Sequence, residues 1–195
     1  MTDDQVPVSR RSYLKATAGA AVGTVGLAGC MGGGGTGTLA TEVTDQPGDI
    51  ADFESCVVTI VGLWVMPADA TATGTDDDDA RERVDFDEPQ EADLVQLQNG
   101  NTKLVDETEL ETGEYDYLQL DTNGVDATLD DGSDANVTTP GDAPLKFNQS
   151  FEIRTDATTT FTADFTPVKQ GQTSNYVLQP VADGTNVEYE SGTEE

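Results

Sequence analysis

Among residue types able to do chemistry, this chain offers carboxylates in excess, two cysteines and no histidine. Without histidine, a blue-copper centre built on two His and one Cys is excluded within this sequence. Histidine-bearing zinc hydrolase sites and Ser-His-Asp triads are excluded with it. Carboxylate catalysis needs two acids at a defined separation in a cleft, and no spacing here singles out such a pair. The expectation is therefore a protein that is not an enzyme, with an extracellular hydrolase using acidic residues as the alternative. Calcium, which takes six to eight oxygens, is the better chemical match. Asp121-Thr122-Asn123-Gly124-Val125-Asp126 and Asp130-Asp131-Gly132-Ser133-Asp134 have metal-loop composition. They make Asp126, Asp130, Asp131 and Asp134 the candidate calcium ligands, and a calcium-binding adhesion module a further alternative. Neither loop closes with the Glu of a twelve-residue calcium loop, and Asp, Asn and Gly are also what hairpin turns use. No other cofactor is expected.

The cysteines have different surroundings. Cys56 opens the most apolar run of the chain and reads as a small buried hydrophobe. Cys30 ends Leu27-Ala28-Gly29-Cys30, which resembles the lipobox of prokaryotic lipoproteins, whose cysteine carries lipid and becomes the first residue. Upstream, Ser9-Arg10-Arg11-Ser12-Tyr13-Leu14-Lys15 precedes an apolar stretch, Ala16 to Ala28. A twin arginine, Arg10 and Arg11, before a weakly apolar segment is a Tat export signal. The stretch is shorter than the roughly 20 residues a spanning helix needs. Residues 1–29 are thus read as a signal peptide handed to the twin-arginine translocase. Residues 30–37 are the lipid-attachment cysteine and a glycine-rich linker. The location implied is the extracellular face of the cytoplasmic membrane, and with Cys30 lipidated no intrachain disulfide can form.

Charge points to the medium. Of 38 acids and 9 bases, Asp3, Asp4, Arg10, Arg11 and Lys15 precede Cys30. That leaves 36 acids and 6 bases, a balance of −30. Such self-repulsion destabilises a compact state, but at about 1 M salt the Debye length falls to about 3 Å. The composition suits a halophilic secreted protein, as in a haloarchaeon. No basic face exists to neutralise phosphates, so nucleic acid is not a partner. The expected partners are the membrane, through the lipid anchor, and a surface protein or glycan.

The elements that position these residues read as strands, because apolar residues recur with period two between turn residues. Thr38–Val43 alternates and meets the turn Asp45-Gln46-Pro47-Gly48-Asp49. Val57–Met66 is apolar on both alternating faces, which predicts a central strand covered on both sides, with Trp64 in the core. A sugar platform of Trp64 with Tyr115 and Tyr117 is the alternative. Asp93–Leu97 and Lys103–Val105 flank Asn99-Gly100, a hairpin signal. Tyr115–Leu120 and Val125–Leu129 flank Asn123-Gly124, another. Leu145, Phe147, Gln149, Phe151 and Ile153 alternate as one strand. Phe161–Phe165 and Tyr176–Val181 close the series, and Ile50 to Glu54 is the one helical turn. Residues 71–91, with Asp76-Asp77-Asp78-Asp79, read as an acidic insertion loop, and residues 183–195 as an acidic tail. The fold class is all-β, an antiparallel β-sandwich over residues 38–182.

Residues from Gly37 to about Val181 resemble the family named domain of unknown function 4382, found in prokaryotic surface lipoproteins. The resemblance rests on Thr44-Asp45-Gln46-Pro47-Gly48-Asp49, the run Val57–Val65, Asp93-Leu94-Val95-Gln96-Leu97 and Thr112-Gly113-Glu114-Tyr115. Thr139-Pro140 before Leu145-Lys146-Phe147, then Phe161–Phe165 and Tyr176–Val181, complete it. It departs from the family at the acidic insertion. It implies a transthyretin-like or prealbumin-like sandwich and carries over no functional residues. The function expected is a membrane-anchored, non-catalytic binding or scaffold module.

Two sequons, Asn136-Val137-Thr138 and Asn148-Gln149-Ser150, are candidate glycosylation sites. Asn136 is placed near a loop and Asn148 mid-strand, so Asn136 is expected to be the better acceptor. The charge balance supplies the first test. Circular dichroism of the purified chain should show β structure in molar salt and its loss in dilute buffer. An unchanged spectrum and melting temperature across that range would contradict the halophilic reading.

Overall fold

The computed structural model describes residues 34–45, 48–70, 80–140 and 143–190. They form eleven strands in chain order: β1 (Thr36–Thr44), β2 (Phe53–Pro67), β3 (Glu82–Asp93), β4 (Lys103–Glu111), β5 (Gly113–Leu129), β6 (Asn136–Thr138), β7 (Leu145–Phe147), β8 (Phe151–Ile153), β9 (Thr158–Lys169), β10 (Asn175–Pro180) and β11 (Asn186–Glu190). One sheet has the order β4-β1-β9-β10-β6, with β11 also paired to β9. The other has the order β3-β2-β5-β7, with β8 also paired to β5. The two sheets make a β-sandwich, the class the period-two pattern predicts. Pairing is antiparallel except for β1 with β9 and β6 with β10, which run parallel. Among the described residues no helix is long and apolar enough to cross a membrane.

The core is an aromatic seam between the sheets. Phe161 on β9 is fully buried and meets Phe151 at 5.4 Å and Phe147 at 6.3 Å, ring to ring, both edge-on. Phe147 also lies 6.2 Å from Phe165, and Tyr115 stacks on Phe151 at 5.1 Å. Offset and edge-to-face pairs of this kind add to the burial of apolar area itself.

Register decides what reaches that seam. On β2, Cys56, Val58 and Ile60 point inward, but beyond Gly62 the inward residues are Leu63 and Val65. The ladder slips between Ile60 and Gly62 against both neighbours. This bulge changes the parity of the strand. Glycine is required there, because a Cβ at Gly62 would lie 2.6 Å from the Val84 carbonyl oxygen. Trp64 is thereby turned to the outer face and is only half-buried, which corrects its placement in the core.

Other expectations change for equally local reasons. Asn123-Gly124 is no hairpin: β5 runs unbroken past it, and Gly124, with φ of 98°, absorbs a slip against β2. Asn99 and Gly100 do form a left-handed turn, with φ of 63° and 81°. It joins a 3-10 turn at Leu94–Leu97 to β4, however, and so carries the chain from one sheet to the other. Asp93 caps that turn, accepting from the Val95 and Cys56 amides at 3.2 and 3.1 Å. The helical turn near Ile50 is a 3-10 turn over Asp49–Asp52. In the acidic insertion, Glu82 to Glu91 belong to β3, while Asp76–Asp79 lie outside the described residues. The tail too is partly strand, with Asn186–Glu190 pairing with β9 as β11.

Phe161→Ala should cost about 3–5 kcal/mol, because it opens a cavity beside two aromatic partners, Phe147 and Phe151. Denaturant unfolding in molar salt measures this, and a loss under about 1 kcal/mol would contradict the seam as the centre of the core.

Candidate functional site

The outer face of the β3-β2-β5-β7 sheet carries a row set by register, Arg83–Trp64–Gln119–Lys146. Arg81, just before β3, and Arg83, on it, lie 4.8 and 4.9 Å from the centre of the Trp64 ring. Lys146 Nζ lies 3.6 Å from the centre of the Tyr117 ring. Each such cation–π contact contributes roughly 0.5–1 kcal/mol at an exposed site. Polar contacts fix the guanidinium planes. Arg81 Nη1 donates to Gln119 Oε1 at 2.6 Å; Arg83 donates from Nε to Asp85 Oδ1 at 2.6 Å and from Nη1 to Asp121 Oδ2 at 2.8 Å. Asp121 and then Asp85 push the Arg83 pKa further up. The Arg83 and Asp121 side chains remain 32% and 27% exposed, so the face is wet and its ion pairs stabilise the fold little.

Three of the six basic residues that follow Cys30 thus stand on one face of a chain of net charge −29. Guanidinium edges and two aromatic rings offer donors and π-surface to an oxygen-rich ligand, with the buried Gln119 amide holding Arg81 in place. The sequence reading missed Arg81, Arg83, Gln119 and Lys146 because the row exists only once four strands are in register. Tyr115, proposed with Trp64, lies instead in the core beneath Phe151.

A separate cavity of about 480 Å³ is lined by Asp69, Glu82, Glu111, Glu114 and Tyr115, among others. Its four acids are exposed, so no dry site surrounds them. Tyr115 donates from its hydroxyl to the Glu111 carbonyl at 3.0 Å, and burial, helped by Glu82, Glu111 and Asp69, raises its pKa to about 12.

A family model described as Domain of unknown function (DUF4382) matches residues 36–180. The chain belongs to that family. No curated protein and no solved structure matches it. The match spans β1 to β10 of this DUF4382 domain and leaves β11 outside.

The remaining predicted residues are dispersed. Arg10, Arg11 and Cys30 lie outside the described residues. Among the described residues no group of three or more acidic, His or Cys side chains could hold a metal ion. The set Asp126, Asp130, Asp131 and Asp134 is therefore not gathered about one point. Asp131 is instead a turn former: its Oδ1 accepts from the Ser133 amide at 2.9 Å and hydroxyl at 2.5 Å, which holds its pKa low. Cys56 is fully buried. Burial, then Asp93 and Asp45, pushes its thiol up to about 12, so it is inert at neutral pH.

The sequons exchange places. Asn136 opens β6; its amide donates to the Ser174 carbonyl at 3.1 Å and its Nδ2 to Asn175 Oδ1 at 3.2 Å. Asn148 sits in the exposed connector between β7 and β8, not mid-strand. A transferase acting on the folded chain meets Asn148 first. Peptide mass spectrometry of material from a glycosylating host should find Asn148 occupied more fully than Asn136. The reverse order would show that the acceptor residue, Thr138 against Ser150, outweighs accessibility.

Proposed function

We propose that this DUF4382 chain is an exported, lipid-anchored and non-catalytic binding module of a high-salt cell surface. On this reading its ligand face is the Trp64 face of the second sheet. The observation that supports it most is the gathering of Arg81, Arg83 and Lys146 around Trp64 and Tyr117 in an otherwise acidic chain. In molar salt long-range attraction is screened to a few ångströms. Recognition then has to come from direct contacts, and planar guanidiniums held against rings are preorganised donors for carboxylate or hydroxyl oxygens. A surface glycan carrying uronic acids fits that chemistry. The Cys30 lipid and the twin arginine at Arg10 and Arg11 account for placement at the outer side of the membrane. The acid-lined cavity beside Tyr115 favours a second reading, a carboxylate hydrolase acting on the same class of polymer.

Two measurements test this reading. Cys30→Ser should leave export intact and move the protein from membranes to the medium; equal membrane retention would refute the anchor. Binding of a uronic-acid oligosaccharide in molar salt should weaken at least tenfold in Trp64→Ala and in Arg83→Ala, while Lys103→Ala, on the other sheet, leaves it unchanged. Equal affinity in all three would remove the face from consideration, and release of shortened oligosaccharide would favour the hydrolase.

A further inference from the structure

We infer that Asp45, with Asp164 and Thr166, binds a hard divalent cation at the end of β1. Asp45 directly follows β1, and the parallel register pairs its neighbour Thr44 with Asp164 on β9. Thr166 stands two residues further along β9, on the same face as Asp164. Asp45 and Asp164 are 0% exposed and Thr166 is 6% exposed. Neither carboxylate oxygen of Asp45 receives a hydrogen bond among the described residues, and the Thr166 hydroxyl has no partner in bonding geometry either.

That arrangement is unstable as it stands. An isolated buried carboxylate carries a desolvation penalty of several kcal/mol, and a second acid beside it adds repulsion. No basic side chain among the described residues bridges to Asp45. Burial first, and Asp164 as well, raise the Asp45 pKa to about 7, with Thr166 as the one opposing influence. The same surroundings that favour a proton favour a metal ion. Every donor at this place is an oxygen, and two carboxylates balance a divalent charge. Oxygen donors select calcium or magnesium over zinc or copper. Carbonyls and water would complete the shell. Gly48 also approaches Thr166 closely, since a Cβ there would lie 2.6 Å from Thr166 Oγ1.

The test is thermal melting and equilibrium dialysis of the purified chain in molar potassium chloride, with chelator or with millimolar calcium. The salt screens the acidic surface, so non-specific calcium binding is suppressed. The wild type should bind one tight equivalent and gain several degrees in melting temperature. Asp45→Asn, nearly isosteric, should melt at least as high as the wild type in chelator yet lose both the equivalent and the gain. Thr166→Val, which keeps both carboxylates, should weaken calcium binding several-fold and serves if Asp45→Asn does not fold. Equal melting of the wild type with calcium and with chelator, or an undiminished response in Asp45→Asn, overturns the site. So does a wild type that is stabilised only by lowering the pH from 8 to 5, which would mean that the two acids share a proton.

Discussion

The pairing of β2 with β5 governs this molecule, because each strand carries slips that decide which side chains enter the core. Between Ile60 and Gly62 the inward set changes from even to odd residues. Leu63 and Val65 then join the seam, and Trp64 is expelled to the opposite face. Had β2 kept its parity, Trp64 would lie among the phenylalanines, while Leu63 and Val65 would face water. The volume mismatch alone makes that arrangement unfavourable. The bulge also has a backbone cause, because the approach of the Val84 carbonyl to Gly62 leaves no room for a side chain. The outer row around Trp64 is thus a consequence of core packing.

The class of fold was legible because alternation is a local property. Strands β1, β2 and β9, and the aromatics at 147, 151, 161 and 165, follow directly from period two. Pairing is not local, and there the reading failed. Asn-Gly at 99–100 and at 123–124 looked equivalent in sequence. One became a turn between sheets and the other a slip within a strand, since both uses need a residue tolerant of positive φ. Residues 82–91 and 186–190 were too acidic to suggest strands. Both lie at sheet edges or on surfaces, where carboxylates face solvent at no cost and backbone pairing with β2 or β9 supplies the order. The alternating run from Leu145 to Ile153 broke at Asn148-Gln149-Ser150, where polar side chains could not enter the seam.

Candidate site residues were legible in proportion to their independence from register. The residues read as export and lipidation signals, Arg10, Arg11 and Cys30, stand in local sequence motifs whose reading needs no fold. Trp64 drew attention as the sole tryptophan, but its role depended on a one-residue slip. Arg81, Arg83 and Lys146 looked like scattered bases until two edges of one sheet brought them to a common face. Asp45 belonged to a motif that had already been noticed as a turn. Its burial could not be read from a residue type that is usually exposed.

The two places of interest handle charge in opposite ways, and salt separates them. On the Trp64 face the cations lie over rings and Arg83 pairs with Asp85 and Asp121 in water, so molar salt screens their mutual repulsion and leaves contact chemistry intact. At Asp45 the charge is out of reach of solvent, so ions in bulk screen it little and a specific partner has to be bound. Exposed carboxylates can be screened by ions in the medium. The buried carboxylate of Asp45 cannot, because the low-dielectric interior makes an uncompensated charge expensive whatever the ionic strength outside. Salt can therefore screen the exposed carboxylates, whereas the unpartnered carboxylate of Asp45 lies beyond its reach and is the group on which the proposed cation site rests.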